Sequence, residues 1–109
     1  MVLQLMIPYR YGERIGKRSA LVGSGAGPAS YVTGGDPISL SEFNWYVDWL
    51  ANSVSLDGTY EICPVPATAG QPRAGWKAIW FVKSTGAQVA SGVNLSAETV
   101  QLGGFGGQY

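Results

Sequence analysis

The residues of this chain that could do chemistry are few, and no recognisable catalytic or metal-binding set is present among them. The sequence contains no histidine and a single cysteine, Cys63. Imidazole bases, histidine metal sites, cysteine zinc clusters and an intrachain disulfide are therefore excluded. Because Cys63 has no histidine to activate it, we expect it to be a small buried hydrophobic residue in a strand and not a nucleophile.

Carboxylates are the remaining candidates for acid–base chemistry. A glycosidase needs two of them converging on one cleft, and no spacing in the sequence selects a pair. Asp36 and Asp57 fall in Gly-Gly-Asp-Pro and Asp-Gly turns, and Glu42 would cap a local helical turn. The glycine-rich run 23–27 lacks the Lys-Ser/Thr helix that follows a phosphate-binding loop. We therefore expect no enzyme, no catalytic residue, no cofactor and no metal site.

Aromatic side chains offer a different chemical use, as binding surfaces. The chain has four Trp, six Tyr and three Phe, which is more than one small core requires. The tryptophans come as two pairs, Trp45 with Trp49 and Trp76 with Trp80. Such rings anchor protein interfaces, or they stack on sugar rings. A small carbohydrate-binding module is therefore one alternative for the function.

Charge is scarce and unevenly distributed. Charged residues make up 13% of the chain and the formal net charge is zero, whereas about 25% is usual. Residues 1–18 contain four basic residues and one acidic residue, and all charged residues within 36–61 are acidic. A neutral protein lacks the long-range field that concentrates nucleic acid, so we expect no nucleic-acid partner. A surface so poor in charge indicates that neighbouring subunits cover part of it.

Targeting and membrane segments are not predicted. No stretch approaches the ~18 apolar residues of a membrane span. Met1–Ile7 is too short for the core of a signal peptide, and its positive charges follow it instead of preceding it. We expect no membrane partner.

Turn residues divide the chain into short strands. They are predicted at residues 2–7, 19–23, 45–56, 59–63, 76–83, 88–90 and 93–102. Segments 23–28 and 64–75 are predicted to be loops because of their glycines and prolines. Residues 39–50 fit either a helix or a strand, and we favour one helical turn at 39–43 before the strand that starts at 45.

These elements predict an all-β fold: a small antiparallel β-sandwich or partly open barrel with an extended N-terminal arm. Residues 1–18 would form the N-terminal strand and basic arm, residues 19–103 the β-domain, and residues 104–109 a glycine- and aromatic-rich tail. We expect strand 1–7 to pair at a sheet edge and the tail to latch a neighbour. Glycines beside Phe105 would allow a close backbone approach.

The residues best suited to an interface are the aromatic and basic residues of the arm, three tryptophans and the aromatic residues of the tail. We expect the chain to form a homo-oligomer, a dimer or a trimer, through some of them. These interface candidates are Tyr9, Arg10, Tyr11, Arg14, Arg18, Trp45, Trp49, Trp76, Phe105 and Tyr109.

Three segments resemble small virion structural proteins of tailed bacteriophages. They are Ser30–Ile38 (SYVTGGDPI), Asp57–Tyr60 (DGTY) and Thr85–Ser96 (TGAQVASGVNLS). The resemblance covers roughly residues 19–105, and the chain departs from it in the proline-rich segment 64–75 and in its C-terminal tail.

The resemblance implies a β-rich protein of the phage particle, commonly a decoration (cement) protein that stabilises the head by binding across major capsid protein subunits. Its partner would then be the major capsid protein. Its location would be the capsid surface, after synthesis in the host cytoplasm. A tail or head–tail connector component is the alternative within the particle.

Overall fold

The computed structural model describes residues 1–5, 14–15, 18–40 and 45–108. Within these ranges the chain is all-β, and its only helical element is a 3₁₀ helix, Pro72–Ala74. The strands are β1 (Val2–Leu5), β2 (Arg14–Ile15), β3 (Arg18–Ala26), β4 (Asp36–Leu40), β5 (Trp45–Leu50), β6 (Ser53–Val54), β7 (Tyr60–Pro66), β8 (Trp76–Val82) and β9 (Thr99–Gln108).

Eight strands form a mixed sheet that curves into an open half-barrel, as the predicted all-β, partly open barrel requires. Their order is β5-β9-β3-β1-β4-β8-β7-β6, and the short β2 pairs with β3 beside this path. All neighbours are antiparallel except β1 and β4, which are parallel. No helix in the described ranges is long and apolar enough to cross a membrane.

The segment predicted as one strand, 45–56, is a bent pair of strands that follows β9 along its length. β5 pairs with the C-terminal half of β9. After the bend, Ala51 N donates to Gly103 O (2.9 Å) and Leu56 N donates to Thr99 O (3.0 Å), while β6 pairs with β7. The two ends of the sheet therefore approach each other near the start of β9, and the half-barrel is open at the other end.

Two groups of buried side chains fill the half-barrel. Alternation along β8 places Trp76, Ala78 and Trp80 on its inner side. The larger group is Leu3, Tyr31, Ile62, Ala78, Trp80, Val89, Leu95, Val100 and Leu102. The smaller group, at the open end, is Leu21, Trp45, Val47, Leu50 and Trp76.

The N-terminal strand is an internal strand of the sheet, so the prediction that it pairs at an edge of the sheet is wrong. β1 is hydrogen-bonded to β3 on one side and to β4 on the other. Leu3 is 1% exposed within the larger core group. The backbone nitrogen of Met1 donates to Asp36 Oδ2 (2.6 Å) and Pro37 O (2.8 Å). Residues 1–5 therefore belong to the β-domain.

The C-terminal segment is also part of the domain. Residues 104–108 lie in β9, between β3 and β5, so the predicted boundary at residue 103 falls inside a strand. The predicted strand 93–102 starts only at Thr99, because residues 93–98 form turns. The glycines at 103, 104, 106 and 107 left the second half of this strand without an apolar pattern by which it could be recognised.

Four further predictions of local structure are wrong. Residues 23–26 continue β3 instead of starting a loop, and residues 39–40 lie in β4, not in a helical turn; residues 41–44 are outside the described ranges. β7 runs through Pro64 and Pro66, where it has β8 as a partner but β6 no longer accompanies it. Proline is tolerated on such an edge because no ladder hydrogen bond is lost there. The predicted strand 88–90 is reduced to one bridge between Phe81 and Gln88.

Candidate functional site

Five neighbouring strands present an outward side that carries no charged side chain among those the structure describes. Residues alternate across a strand, so the buried residues Leu3, Leu21 and Leu102 fix which positions point outward. We call this surface the outer face. Its residues are Trp49 on β5, Thr99, Gln101, Gly103, Phe105 and Gly107 on β9, Ala20, Val22, Ser24 and Ala26 on β3, Val2 and Gln4 on β1, and Pro37 and Ser39 on β4.

Two stacked aromatic rings form a ridge on the outer face. Trp49 and Phe105 are opposite each other in the β5–β9 register, with ring centroids 5.7 Å apart and planes inclined by 25°. Trp49 is 51% exposed. Stacking on Phe105 holds the half-exposed Trp49 ring in one orientation. Binding of a partner to this ring would therefore cost little further side-chain entropy.

Small residues form a flat floor beside this aromatic ridge. Gly103 occupies the outward position next to Phe105 on β9, and Ala20 and Val22 lie on the next strand, opposite Phe105 and Gly103. None of these side chains is larger than valine. The floor therefore leaves backbone and methyl groups open to a partner surface over two strands.

Glycines on the inner side of β9 bring β5 unusually close. A Cβ at Gly104 would overlap the carbonyl oxygen of Trp49, and one at Gly106 would overlap that of Tyr46. The glycines beside Phe105 do allow a close backbone approach, but it is made to the chain's own β5 and not to a neighbouring subunit. The approach seats Trp49 directly against Phe105.

An ion pair and a hydrogen bond cover the free edge of β5 at the margin of the outer face. Arg73 donates from Nε to Asp48 Oδ1 (2.7 Å) and from Nη2 to Oδ2 (3.3 Å). Its guanidinium lies 4.0 Å above the Tyr46 ring centroid. Trp76 Nε1 donates to Val47 O (3.0 Å). Because these groups occupy the edge, β5 is protected from pairing with a strand of another molecule.

Two depressions flank this covered edge. One is a cleft of about 240 Å³ that opens into the smaller core group between β5 and the 3₁₀ helix. The other is an open groove of about 640 Å³ between Trp49 and the prolines of segment 64–72, with Asn52 at its rim. The groove joins an exposed indole to an exposed amide, a combination that suits stacking against a polar ring.

A pair of carboxyl groups meets where the β6–β7 turn packs on the segment before β9. Asp57 Oδ1 accepts hydrogen bonds from Thr59 N (3.0 Å) and Ser55 Oγ (2.9 Å). The Thr59 N–H, then a hydrogen bond from the Glu98 carboxyl, lowers the pKa of Asp57 to about 2. The same hydrogen bond, with burial and the charge of Asp57 as smaller causes, raises the pKa of Glu98. The opposite pKa shifts favour the state in which the Glu98 carboxyl is protonated and the Asp57 carboxylate is ionised.

The Cys63 thiol lies in β7 and is half-buried. Burial, with a smaller contribution from the charge of Glu61, raises its pKa. The thiol is therefore protonated at neutral pH, which matches the expectation of an unreactive strand residue.

The structure places the predicted interface residues in different environments. Trp49 and Phe105 come together on the outer face. Trp45 and Trp76 are each 8% exposed and belong to the smaller core group. Arg14 and Arg18 lie in the paired strands β2 and β3. Tyr9, Arg10, Tyr11 and Tyr109 lie outside the described residues.

The floor residues and Glu98 are the parts of the site that the sequence did not indicate. The segment 20–25 alternates between Ala20, Val22 and Ser24 on one side and Leu21, Gly23 and Gly25 on the other. This alternation could have predicted that the strand continues through the glycines. Glu98 lies 41 positions from Asp57, and no local pattern links two residues so far apart.

Comparisons with protein-family models, with curated protein sequences and with solved structures gave no match.

Proposed function

We propose that this chain is a structural protein of a tailed-phage particle, a head decoration protein that binds across major capsid protein subunits. The observation that carries the proposal is the outer face: it is five strands wide, its described side chains are uncharged, and it bears a half-exposed tryptophan. Interface centres are depleted in charge and enriched in aromatic residues. The resemblance of segments 30–38, 57–60 and 85–96 to virion proteins is the reason for proposing a phage particle as the assembly.

Decoration requires binding energy and no catalysis. Each bound copy adds a contact that must be broken before the shell ruptures, and a symmetric shell repeats that contact many times. The basic arm residues Arg10 and Arg14 are the proposed contacts to the major capsid protein, because the net-neutral chain concentrates positive charge there. The outer face would be covered by a neighbouring subunit.

The test uses heads purified from the phage whose genome carries this sequence, stripped of the chain. Wild-type protein added back should co-sediment with the heads and raise their rupture temperature. The double variant Arg10→Glu/Arg14→Glu should bind at least ~10-fold more weakly, because it reverses two charges. Lys83→Glu, a charge reversal at an exposed position outside the arm, is the control and should bind normally. Failure of the wild-type chain to bind refutes the proposal.

Carbohydrate binding is the second candidate, and the groove beside Trp49 favours it. An exposed indole, the Asn52 amide and a proline wall are the elements of a sugar-stacking site. In that case saccharides added to the free protein should shift the tryptophan emission, and Trp49→Ala should abolish the shift. Phage heads should then not bind the chain.

A further inference from the structure

The outer face contains both halves of a self-complementary contact. The aromatic ridge, Trp49 and Phe105, projects from one part of it. The floor, with Gly103 and Ala20 among its residues, lies directly beside the ridge. A two-fold axis through the face brings each ridge onto the floor of the other subunit. Interfaces of this isologous kind require complementary features on one surface, and here both are present.

The charge of the face also fits a second copy. A neutral surface meets no repulsion from an identical surface, and the chain as a whole has no net charge to oppose association. None of the side chains that the structure describes on this face would leave an unpaired charge when buried, which is the usual penalty at a mismatched interface. The charged groups at the margins are Arg73, paired with Asp48, on one side and Lys77, opposite Pro37, on the other, and they lie outside the face.

The size of the face is sufficient for a stable contact. Its five strands contain about 34 residues, which cover about 540 Å² at a rise of ~3.3 Å and a strand spacing of ~4.8 Å. Two faces together bury about 1,100 Å², just above the ~1,000 Å² of a specific interface. Each face is roughly a tenth of the chain's accessible surface of 6131 Å², the share that interfaces of small proteins bury.

We propose that the outer face is the interface of a two-fold homodimer, in which the aromatic ridge of each subunit packs on the floor of the other. This inference names the partner of the surface on which the proposed function rests. Two copies joined in this way would leave their remaining described surfaces at the periphery of the dimer. A dimer of this kind could bridge two sites on a shell.

The test compares two valines of nearly equal exposure. Val2 is 60% exposed on the outer face, and Val32 is 62% exposed in a loop outside it. Sedimentation equilibrium of the purified chain should give twice the 11.5 kDa of one chain. Val2→Glu should weaken the dimer at least ~100-fold, because the two-fold axis buries the new charge twice. Val32→Glu should leave the dimer intact.

A second variant guards against an indirect effect of Val2→Glu on folding. Trp49→Lys removes the ridge on the opposite side of the face and should also give a monomer, with an unchanged circular dichroism spectrum. A wild-type monomer at all concentrations, or equal weakening by Val2→Glu and Val32→Glu, overturns the inference. Head binding is measured separately: a monomer that binds heads refutes the dimer alone, and a dimer that ignores heads refutes the decoration role alone.

Discussion

Replacing Gly104 by alanine should destabilise the protein, whereas the same change at its neighbour Gly103 should not. Both glycines lie in β9 with extended backbone, and neither has a positive φ. A Cβ at Gly104 would overlap the carbonyl oxygen of Trp49 and would lie 2.9 Å from the carbonyl carbon and 3.0 Å from Leu50 Cα. At Gly103 the nearest atom would be Leu21 O at 3.7 Å, an ordinary contact.

The magnitude follows from what must move. The atoms in the way at Gly104 are backbone atoms of β5, so no side chain can rotate aside, and β5 must retreat by more than about 1 Å. Such a shift breaks two or three neighbouring hydrogen bonds at about 1 kcal/mol each, in addition to the strain of overpacking. We expect Gly104→Ala to lower the free energy of unfolding by about 3 kcal/mol. Gly103→Ala should raise it by up to ~1 kcal/mol, because alanine restricts the unfolded chain.

Urea unfolding followed by tryptophan fluorescence measures both variants. The protein concentration must be the same throughout, because a dimer is more stable at higher concentration. A loss of about 3 kcal/mol lowers the urea midpoint by more than about 1 M at a typical slope. If Gly104→Ala and Gly103→Ala unfold within ~0.5 kcal/mol of each other, the close approach of β9 to β5 is refuted.

Three further changes test other parts of the structure. Leu3→Ala should cost about 2–4 kcal/mol of unfolding free energy, since Leu3 is 1% exposed in the core; a loss below ~1 kcal/mol by urea unfolding would indicate that residues 1–5 form an arm. Arg73→Lys should cost about 0.5–1 kcal/mol, because lysine cannot reproduce the paired hydrogen bonds to Asp48; an unchanged thermal midpoint contradicts this. The pKa of Glu98 is raised in the folded chain. Its contribution to the free energy of unfolding is therefore complete below the usual glutamate pKa of 4.5 and is lost as the pH rises through the pKa of the folded state. The variant Glu98→Gln should not show this fall in stability with rising pH. If the thermal midpoints of the variant and the wild type fall in parallel above pH 4.5, the hydrogen-bonded pair of Glu98 and Asp57 is excluded.

The strands with regular alternation could be predicted from the sequence. In β8, Trp76, Ala78 and Trp80 alternate with half-buried residues, and the strand lies where it was predicted. The Asp57-Gly58 turn likewise falls where predicted, with Gly58 at φ 79°. These elements depend on side chains that are adjacent in the sequence, so the pattern alone determines them.

The parts of the fold that depend on distant partners were not predictable in this way. β9 contains four glycines, which show no alternation, and its place in the sheet is determined by β3 and β5. Pro64 and Pro66 ordinarily indicate a loop, but β7 carries them where it is an edge strand. The parallel pairing of β1 with β4 has no local signal either.

The candidate site was predicted only in part, for the same reason. Trp49 and Phe105 were expected at an interface, and the structure stacks them on one surface. Trp45 and Trp76 were expected there too, but inward-facing positions place them in the smaller core group. Exposure is decided by the side of the strand on which a residue lies, and the bulge between Val47 and Trp49 changes that side within β5.

Electron cryomicroscopy of the phage head at residue-level resolution tests the central claim most directly. We predict that the chain is found on the outside of the capsid shell, with the outer faces of two copies packed against each other and Trp49 buried between them. A head whose shell lacks the chain, or one that carries it with the outer face open to solvent, contradicts the account.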